Sequence, residues 1–598
     1  MGWAQKLLET YDNCSSEIGK YGSSQPLCPI YHTIINSQTE VTIDINGEFI
    51  SATQNKQGTP IIVPCTAKSL ARTSDSTPHP LCDALKYMDA AHNKHKYYTD
   101  QLKDWTQSPY STPHIQAIYQ YISKNKILED LTAEKIDINI NYVVRFQVFG
   151  GGIHTSVWNN PEIFEKWIQY YNGVLSREGH KNICYITGEN TIISNNHPKR
   201  LVPYKGNAKI ISADDGTHEH NYDGLYNKDS KNAQTVGFVA SQKIHHALSW
   251  LVDRQGYIFN AGDTLLTILN WSTNTSDLPN YITDAATGDF MEMPASTSQE
   301  YAIKVKKALA GYQQSIPTRD NIMVIMLNSL TPGRLSVSYF QEFSKTEYFQ
   351  RMEQWYNDTC WQLNYYKDGQ LKKHIGTPLL KSIAEFTYGN YKDERLILND
   401  KLKQATITKL TRCVVEGKPI PPEIVNTLVT KTCQNRLTMG KNNAIEWENA
   451  LGTACAVYRN YMINYMKEDI AMAYDHARTT RDYLYGALWA IIDVGEEITY
   501  KKKDRQTNAA RMMVGFKNNP YHNWSRLLPL LEQAYFSKLP PKKYQYIQTE
   551  LNNTMSKFCH EDFISTKSLS GEFLLGYYSK REEIRNKIEI IEEEAQNE

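Results

Sequence analysis

No run of this chain approaches the ~18 uninterrupted apolar residues of a membrane helix. The N-terminal stretch Met1-Gly2-Trp3-Ala4-Gln5-Lys6-Leu7-Leu8-Glu9 has no apolar core of a secretory signal and reads as a short amphipathic helix. Cysteine is sparse and scattered: ten in 598 residues, with no C-x-x-C pair, which excludes a zinc ribbon, a redox motif and a disulfide framework. The expectation is a cytoplasmic protein with reduced thiols. Excess charge is missing too, since 65 Lys+Arg balance 65 Asp+Glu. That excludes a uniformly basic coat but not a local basic patch. Nucleotide and hydrolase signatures are absent: there is no G-x-x-x-x-G-K-[ST], no H-E-x-x-H and no G-x-S-x-G, and Gly150-Gly151-Gly152 lacks dinucleotide spacing. No cofactor and no catalytic residue is expected.

What is present is ordinary for a folded chain: 41% hydrophobic and 22% charged residues. The length predicts two to four domains. Tyrosine is abundant, 40 against 16 Phe. Tyrosine suits wet interfaces and base stacking, and it also follows from A/T-rich codons.

The two halves differ in periodicity. From Val41 to Val63 the period is two, and Asn46-Gly47 between the alternating runs signals a hairpin. Further strands are expected at Tyr142–Phe149, Lys209–Ser212, Leu265–Leu269, Ile322–Leu327 and Leu335–Phe340, with helices at Pro113–Asn125, Pro161–Leu175, Ser241–Val252 and Ser298–Gln314. After about residue 345 strands are not expected, and helical spacing runs through Thr346–Leu363, Lys392–Glu416, Pro422–Met439, Ala444–Met472, Thr480–Lys501, Asn523–Ser537, Lys542–His560 and Leu569–Glu594. The predicted fold is therefore an α+β body with mixed or antiparallel strands over 1–345, followed by an all-α bundle over 346–598.

Basic residues carry most of the functional signal. Residues 390–581 hold 28 Lys+Arg against 20 Asp+Glu, and the last helix, 582–598, holds 2 against 7. Lys501-Lys502-Lys503-Asp504-Arg505 and Arg511 form the densest run, either a solvated helix face or a rail for a phosphate backbone. In the first half Lys68, Arg72, Thr73 and Ser74 lie in a polar loop after a strand, ahead of Pro78-His79-Pro80. Polar loops on a rigid sheet are common sites of recognition. Asp214-Asp215 with His218 or His220 is the single candidate for a metal site; polar-loop histidines at this spacing are usually just solvated, and no metal is expected. His245-His246 lie on a helix, where neighbours face different ways.

The ordered blocks Pro64…Arg72-Thr73-Ser74…Pro78-His79-Pro80-Leu81-Cys82-Asp83…Tyr87, His197-Pro198-Lys199, Ala208–Ala213, Val239–Leu251, Gly262-Asp263-Thr264, Gly333–Val337, Tyr483–Leu488 and Leu574–Arg581 together resemble the Csd-type large subunit of type I-C CRISPR Cascade complexes. The resemblance implies a non-catalytic subunit of an RNA-guided surveillance complex in antiviral defence. Its α+β half would read the protospacer-adjacent motif in duplex DNA while CRISPR RNA pairs with the target strand. Its helical half would guide the displaced strand during R-loop formation, and a separate helicase-nuclease would be recruited to cut. Partners would be the CRISPR RNA, the backbone subunits, a small subunit and target DNA, with no membrane.

On this reading Lys68, Arg72, Thr73, Ser74 and His79 form the motif-reading loop. Lys68 and Arg72 would hold phosphate or enter a groove, and Thr73, Ser74 and His79 would touch base edges. Lys501, Lys502, Lys503, Arg505 and Arg511 would hold the displaced strand. Gln242 and Lys243, in the most specific block, are either DNA contacts or structural. The family often has Asn where His79 stands and Arg where Asp223 stands, so the motif read can differ and no contact is carried over to Asp223. The resemblance also implies that the small subunit can arise from an internal start. Met472 is the nearest candidate to the Tyr483 block, with Met466 and Met462 behind it, and the product 472–598 would have 127 residues. Two rivals stay open: a metal-dependent nuclease, and a purely architectural RNA- and protein-binding subunit.

Overall fold

The computed structural model describes residues 2–22, 25–70, 72, 77–150, 152, 154–194, 196–211, 235–261, 264–274, 298–316, 320–331, 333–367, 370–392, 395–438, 444–500 and 506–597. The chain divides into two compact units: Met1–Leu278 with Arg319–Phe343, and Pro279–Thr318 with Ser344–Glu598.

The first unit is α+β and, among the described residues, holds two four-stranded sheets. In one, β1 (His32–Asp44), β2 (Phe49–Pro64), β3 (Asp83–Ala84) and β4 (Val143–Phe149) lie in the order β2-β1-β4-β3. β1 runs parallel to β4, while the β1–β2 and β3–β4 pairs are antiparallel, so the sheet is mixed. The β1–β2 hairpin turns where Asn-Gly predicts it. Gly47 has φ +72°, and a Cβ there would sit 2.7 Å from the Ala117 carbonyl, so only glycine fits. Alternate residues Val41, Ile43, Ile61, Val63, Val144, Phe146 and Val148 are fully buried. They share one core with the helices His95–Thr106, Pro113–Ser123 and Pro161–Glu178, where Trp105 and Trp167 meet edge to face at 4.8 Å. Helix Pro161–Glu178 starts where Asn160 Oδ1 accepts from Glu162 N–H at 3.0 Å, with proline in the first turn.

A short hairpin, β5 (Lys181–Ile183) and β6 (Asn190–Ile192), precedes the second sheet. That sheet contains β7 (Tyr257–Ala261), β8 (Thr264–Ser272), β9 (Asn321–Thr331) and β10 (Arg334–Ser344), in the order β10-β9-β8-β7. Ile322 to Leu327 are all buried, because both faces of β9 are covered. Helix Phe238–Gln255 and the N-terminal helix Trp3–Asn13 share this core.

The second unit is helical from about residue 400, with three departures from the sequence expectation. Residues 361–376 form a hairpin, β11 (Trp361–Lys367) and β12 (Gln370–Gly376), and 390–397 form another, β13 (Asn390–Lys392) and β14 (Arg395–Ile397). Trp361 and Leu363 are buried while Gln362 and Asn364 are half-exposed, a period of two that a short helical window hides. Asp368-Gly369 between the strands is itself a hairpin signal. The expected helix to Met472 also stops early. Ala444–Tyr461 passes into a π-turn, Met462–Met466, and Lys467 closes it at φ +61°. Ile470 is buried from the connector beyond, which kept the apolar spacing helical without a helix.

Candidate nucleic-acid interface

The loop after β2 is built on local turns. Thr66 N–H donates to Ser69 Oγ at 2.8 Å and Ser69 N–H to Thr66 Oγ1 at 3.1 Å. Lys68 is exposed on this turn. Arg72, expected from sequence to hold phosphate or enter a groove, is half-buried with its guanidinium engaged inside the protein. Its guanidinium donates to both oxygens of Asp83, at 2.6 and 2.7 Å, and to the Thr77 carbonyl at 2.9 Å, and it lies 5.0 Å from the centre of the Tyr87 ring. Asp83 is fully buried and also accepts from the backbone N–H of His79 at 2.6 Å and of Ala84 at 2.8 Å. The ion pair therefore ties Arg72 to β3.

His79 likewise departs from its expected place at a base edge: it is 5% exposed, and its Nδ1 is buried without a hydrogen-bond partner. Thr73 and Ser74 lie outside the described residues. Gln242 is wholly buried, and its Oε1 accepts from Tyr31 N–H. Lys243 is half-buried, pairs with Asp12 at 2.6 Å and lies 5.8 Å from the Tyr11 ring centre.

A second segment, 197–209, faces this loop. Among the described residues Lys199 Nζ reaches only neutral oxygens, Arg72 O and Asn207 Oδ1, both at 3.4 Å. Its pKa is lowered by burial and by the neighbouring Arg200, Lys209 and Arg72 charges. Arg200 is exposed and holds φ +64°, a conformation uncommon outside glycine. Loop and segment line a cleft of about 530 Å³. Its walls include Arg72, Lys199, Arg200 and His79 together with the amides of Gln25, Asn36, Gln38 and Asn141, and no Asp or Glu among the described residues. Asn36 and Gln38 flank Ser37 on β1, where the β1–β2 register breaks between Ser37 and Thr39. Gln38 Oε1 is spent on Val143 N–H at 2.9 Å, whereas Asn36 is exposed. Lys199, Arg200, Asn36 and Asn141 are not singled out by sequence; the one signal for them is the basic pair after His197-Pro198.

The surrounding histidines are neutral. Burial pushes His32, His79 and His245 down to about 4, and His197 and His246 to about 3. His245 stacks on His197 at 5.9 Å, while the neighbouring His246 turns to the Cys28 carbonyl at 3.1 Å. Since the folded values lie below the usual 6.5, the unfolded chain binds more protons between about pH 6.5 and 4. Stability is thus full above pH 6.5 and falls as pH falls, by up to about 1.4 kcal/mol per pH unit per histidine. The unfolding midpoint of the first unit is expected to drop between pH 6.5 and 5. A midpoint that stays level from pH 7 to 5 would refute this.

In the second unit, Lys501, Lys502, Lys503 and Arg505 lie outside the described residues. Arg511 is exposed on helix Asn508–Asn518. Met472 is half-buried in the non-helical connector between the π-turn and helix Arg481–Glu497. Asp214, Asp215, His218, His220 and Asp223 also lie outside the described residues, among which no group of three or more His, Cys, Asp and Glu could hold a metal. No described helix is long and apolar enough to cross a membrane.

A family model described as "CRISPR-associated protein (Cas_Csd1)" matches residues 7–585. No curated protein matches the chain.

Proposed function

Because the chain belongs to the Csd1 family of CRISPR-associated proteins, whose model covers nearly its whole length, we propose that it reads the protospacer-adjacent motif in duplex DNA as the non-catalytic large subunit of a type I-C Cascade. The carboxylate-free cleft supports this reading: cations for phosphate stand beside exposed amides that can both donate to and accept from base edges. The bases flanking the target are randomised, and the sequences retained by the assembled complex are read. Enrichment of a short motif is expected, with each wrong base costing about 1–3 kcal/mol. Equal retention of all flanks would leave only an architectural subunit.

The helical unit would hold the displaced strand after opening, through Arg511 and the adjacent Lys501–Arg505 run, and the whole subunit would recruit a helicase-nuclease. Charge reversal of Arg511 and its neighbours is expected to spare motif binding and to impair duplex opening, followed by a fluorescent base on the displaced strand. Unchanged opening would make the run a solvated face.

The segment from Met472 would also be made as a separate small subunit of 127 residues. In support, Met472 stands in a connector, and helix Arg481–Glu497 after it packs chiefly on Glu572–Asn597, Pro541–Met555 and Asn508–Asn518, all within the product. Lys467-Glu468-Asp469 can be encoded by a ribosome-binding sequence two codons ahead of Met472. Expression with a C-terminal tag is expected to give a second short band, and synonymous recoding of Lys467–Asp469 to remove it. A band unmoved by the recoding and by loss of Met472 would overturn this start.

A further inference from the structure

From sequence Arg72 is the expected phosphate contact, yet its guanidinium is held by Asp83 and the Thr77 carbonyl. The positive charge left in the cleft belongs to the segment after His197-Pro198. Lys199 and Arg200 line it side by side, and among the described residues neither has a carboxylate partner. Among them Lys199 meets only two neutral oxygens, both at 3.4 Å, the outer limit of a hydrogen bond. The charges that bear on it are those of Arg200, Lys209 and Arg72, all of one sign. Gathering like charges in a half-buried cleft is unfavourable unless an anion joins them. Arg200 adds a second cost by holding a left-handed backbone at φ +64° without being glycine, a feature that concentrates at ligand clamps.

We propose that Lys199 and Arg200 seat a phosphodiester of the target duplex, and that the Arg72–Asp83 pair is the strut that positions the loop opposite. This deepens the reading of the cleft as a DNA site and rests on it. A phosphodiester could come from the duplex or from the CRISPR RNA, and the test separates the two.

Lys199 labelling by reductive methylation is followed by mass spectrometry in the assembled complex, before and after a saturating duplex is added. With its lowered pKa, Lys199 is expected to react readily before the duplex and to be protected after it. Protection already present without DNA would assign the site to RNA or a partner subunit and overturn the proposal, as would labelling that the duplex leaves unchanged. In parallel, Lys199→Gln with Arg200→Gln is expected to weaken duplex binding evenly across flanking sequences and to lower the slope of log affinity against log salt by roughly 1. An unchanged slope, or a loss confined to one flanking sequence, would overturn it. If the wild-type complex shows no motif preference but the slope and protection effects hold, motif reading fails and the phosphate site stands.

Discussion

Gly576→Leu is expected to unfold the helical unit, and Gly576→Ala to destabilise it by at least about 3 kcal/mol. Helices Arg481–Glu497 and Glu572–Asn597 cross backbone to backbone. A Cβ on Gly576 would sit 2.2 Å from the Tyr483 carbonyl oxygen, and one on Gly486 would sit 2.2 Å from that of Phe573. Neither obstacle is a side chain that can rotate away, so the helices must separate. Separation would break the buried network beside the crossing. Tyr577 donates to Asp493 at 2.5 Å, Arg581 is wholly buried against Glu448 and lies 5.4 Å from the Trp447 ring centre, and Tyr483 and Ser579 share a hydrogen bond of 3.1 Å. Gly311, exposed on helix Ser298–Ser315 of the same unit, has nothing within 4 Å of its would-be Cβ, so Gly311→Ala is expected to stabilise by about 0.5–1 kcal/mol. Urea unfolding of the full chain followed by helical circular dichroism compares the three. A Gly576→Ala protein within about 0.5 kcal/mol of wild type would refute the close crossing.

Arg72→Ala is expected to act as a folding mutation before it acts as a binding one. It leaves Asp83, wholly buried, without its counter-ion, at a cost on the order of 3 kcal/mol. The two backbone donors from His79 and Ala84 cannot neutralise that charge. Proteolysis within residues 66–83 should accelerate, and adding Asp83→Asn should recover part of the loss by removing the orphan charge. The salt slope of duplex binding should change little, since the guanidinium is already engaged. A stable Arg72→Ala protein whose slope falls by about 1 would restore Arg72 as the phosphate contact.

Arg581 shows the same logic in the other unit. Its partner Glu448 lies on helix Ala444–Tyr461, outside the segment from Met472. A product starting at Met472 would carry Tyr577 and Arg581 without Trp447 and Glu448, and Tyr578 without Trp361 of β11.

Whatever rests on local chemistry was legible in the sequence. Asn46-Gly47 placed the first hairpin because a tight turn needs positive φ. Pro113 and Pro161 placed helix starts because proline suits the first turn. Period two and period 3.6 separated the α+β body from the helical remainder, and the ordered blocks pointed to the family that residues 7–585 match. Two of those blocks, Tyr483–Leu488 and Leu574–Arg581, are the two sides of one glycine-lined helix crossing. What the sequence left undecided depends on partners far along the chain. Arg72 reads as a free cation until β3 brings Asp83 under it, and His79 reads as a polar loop residue until the same turn buries it. Gln242 is spent on Tyr31, 211 residues away. Lys199 and Arg200 become the unpaired charge of a cleft only because its other walls come from β1, the loop after β2 and helix Phe238–Gln255. Which cation is neutralised and which is left for a ligand is a property of tertiary neighbours, and composition does not carry it.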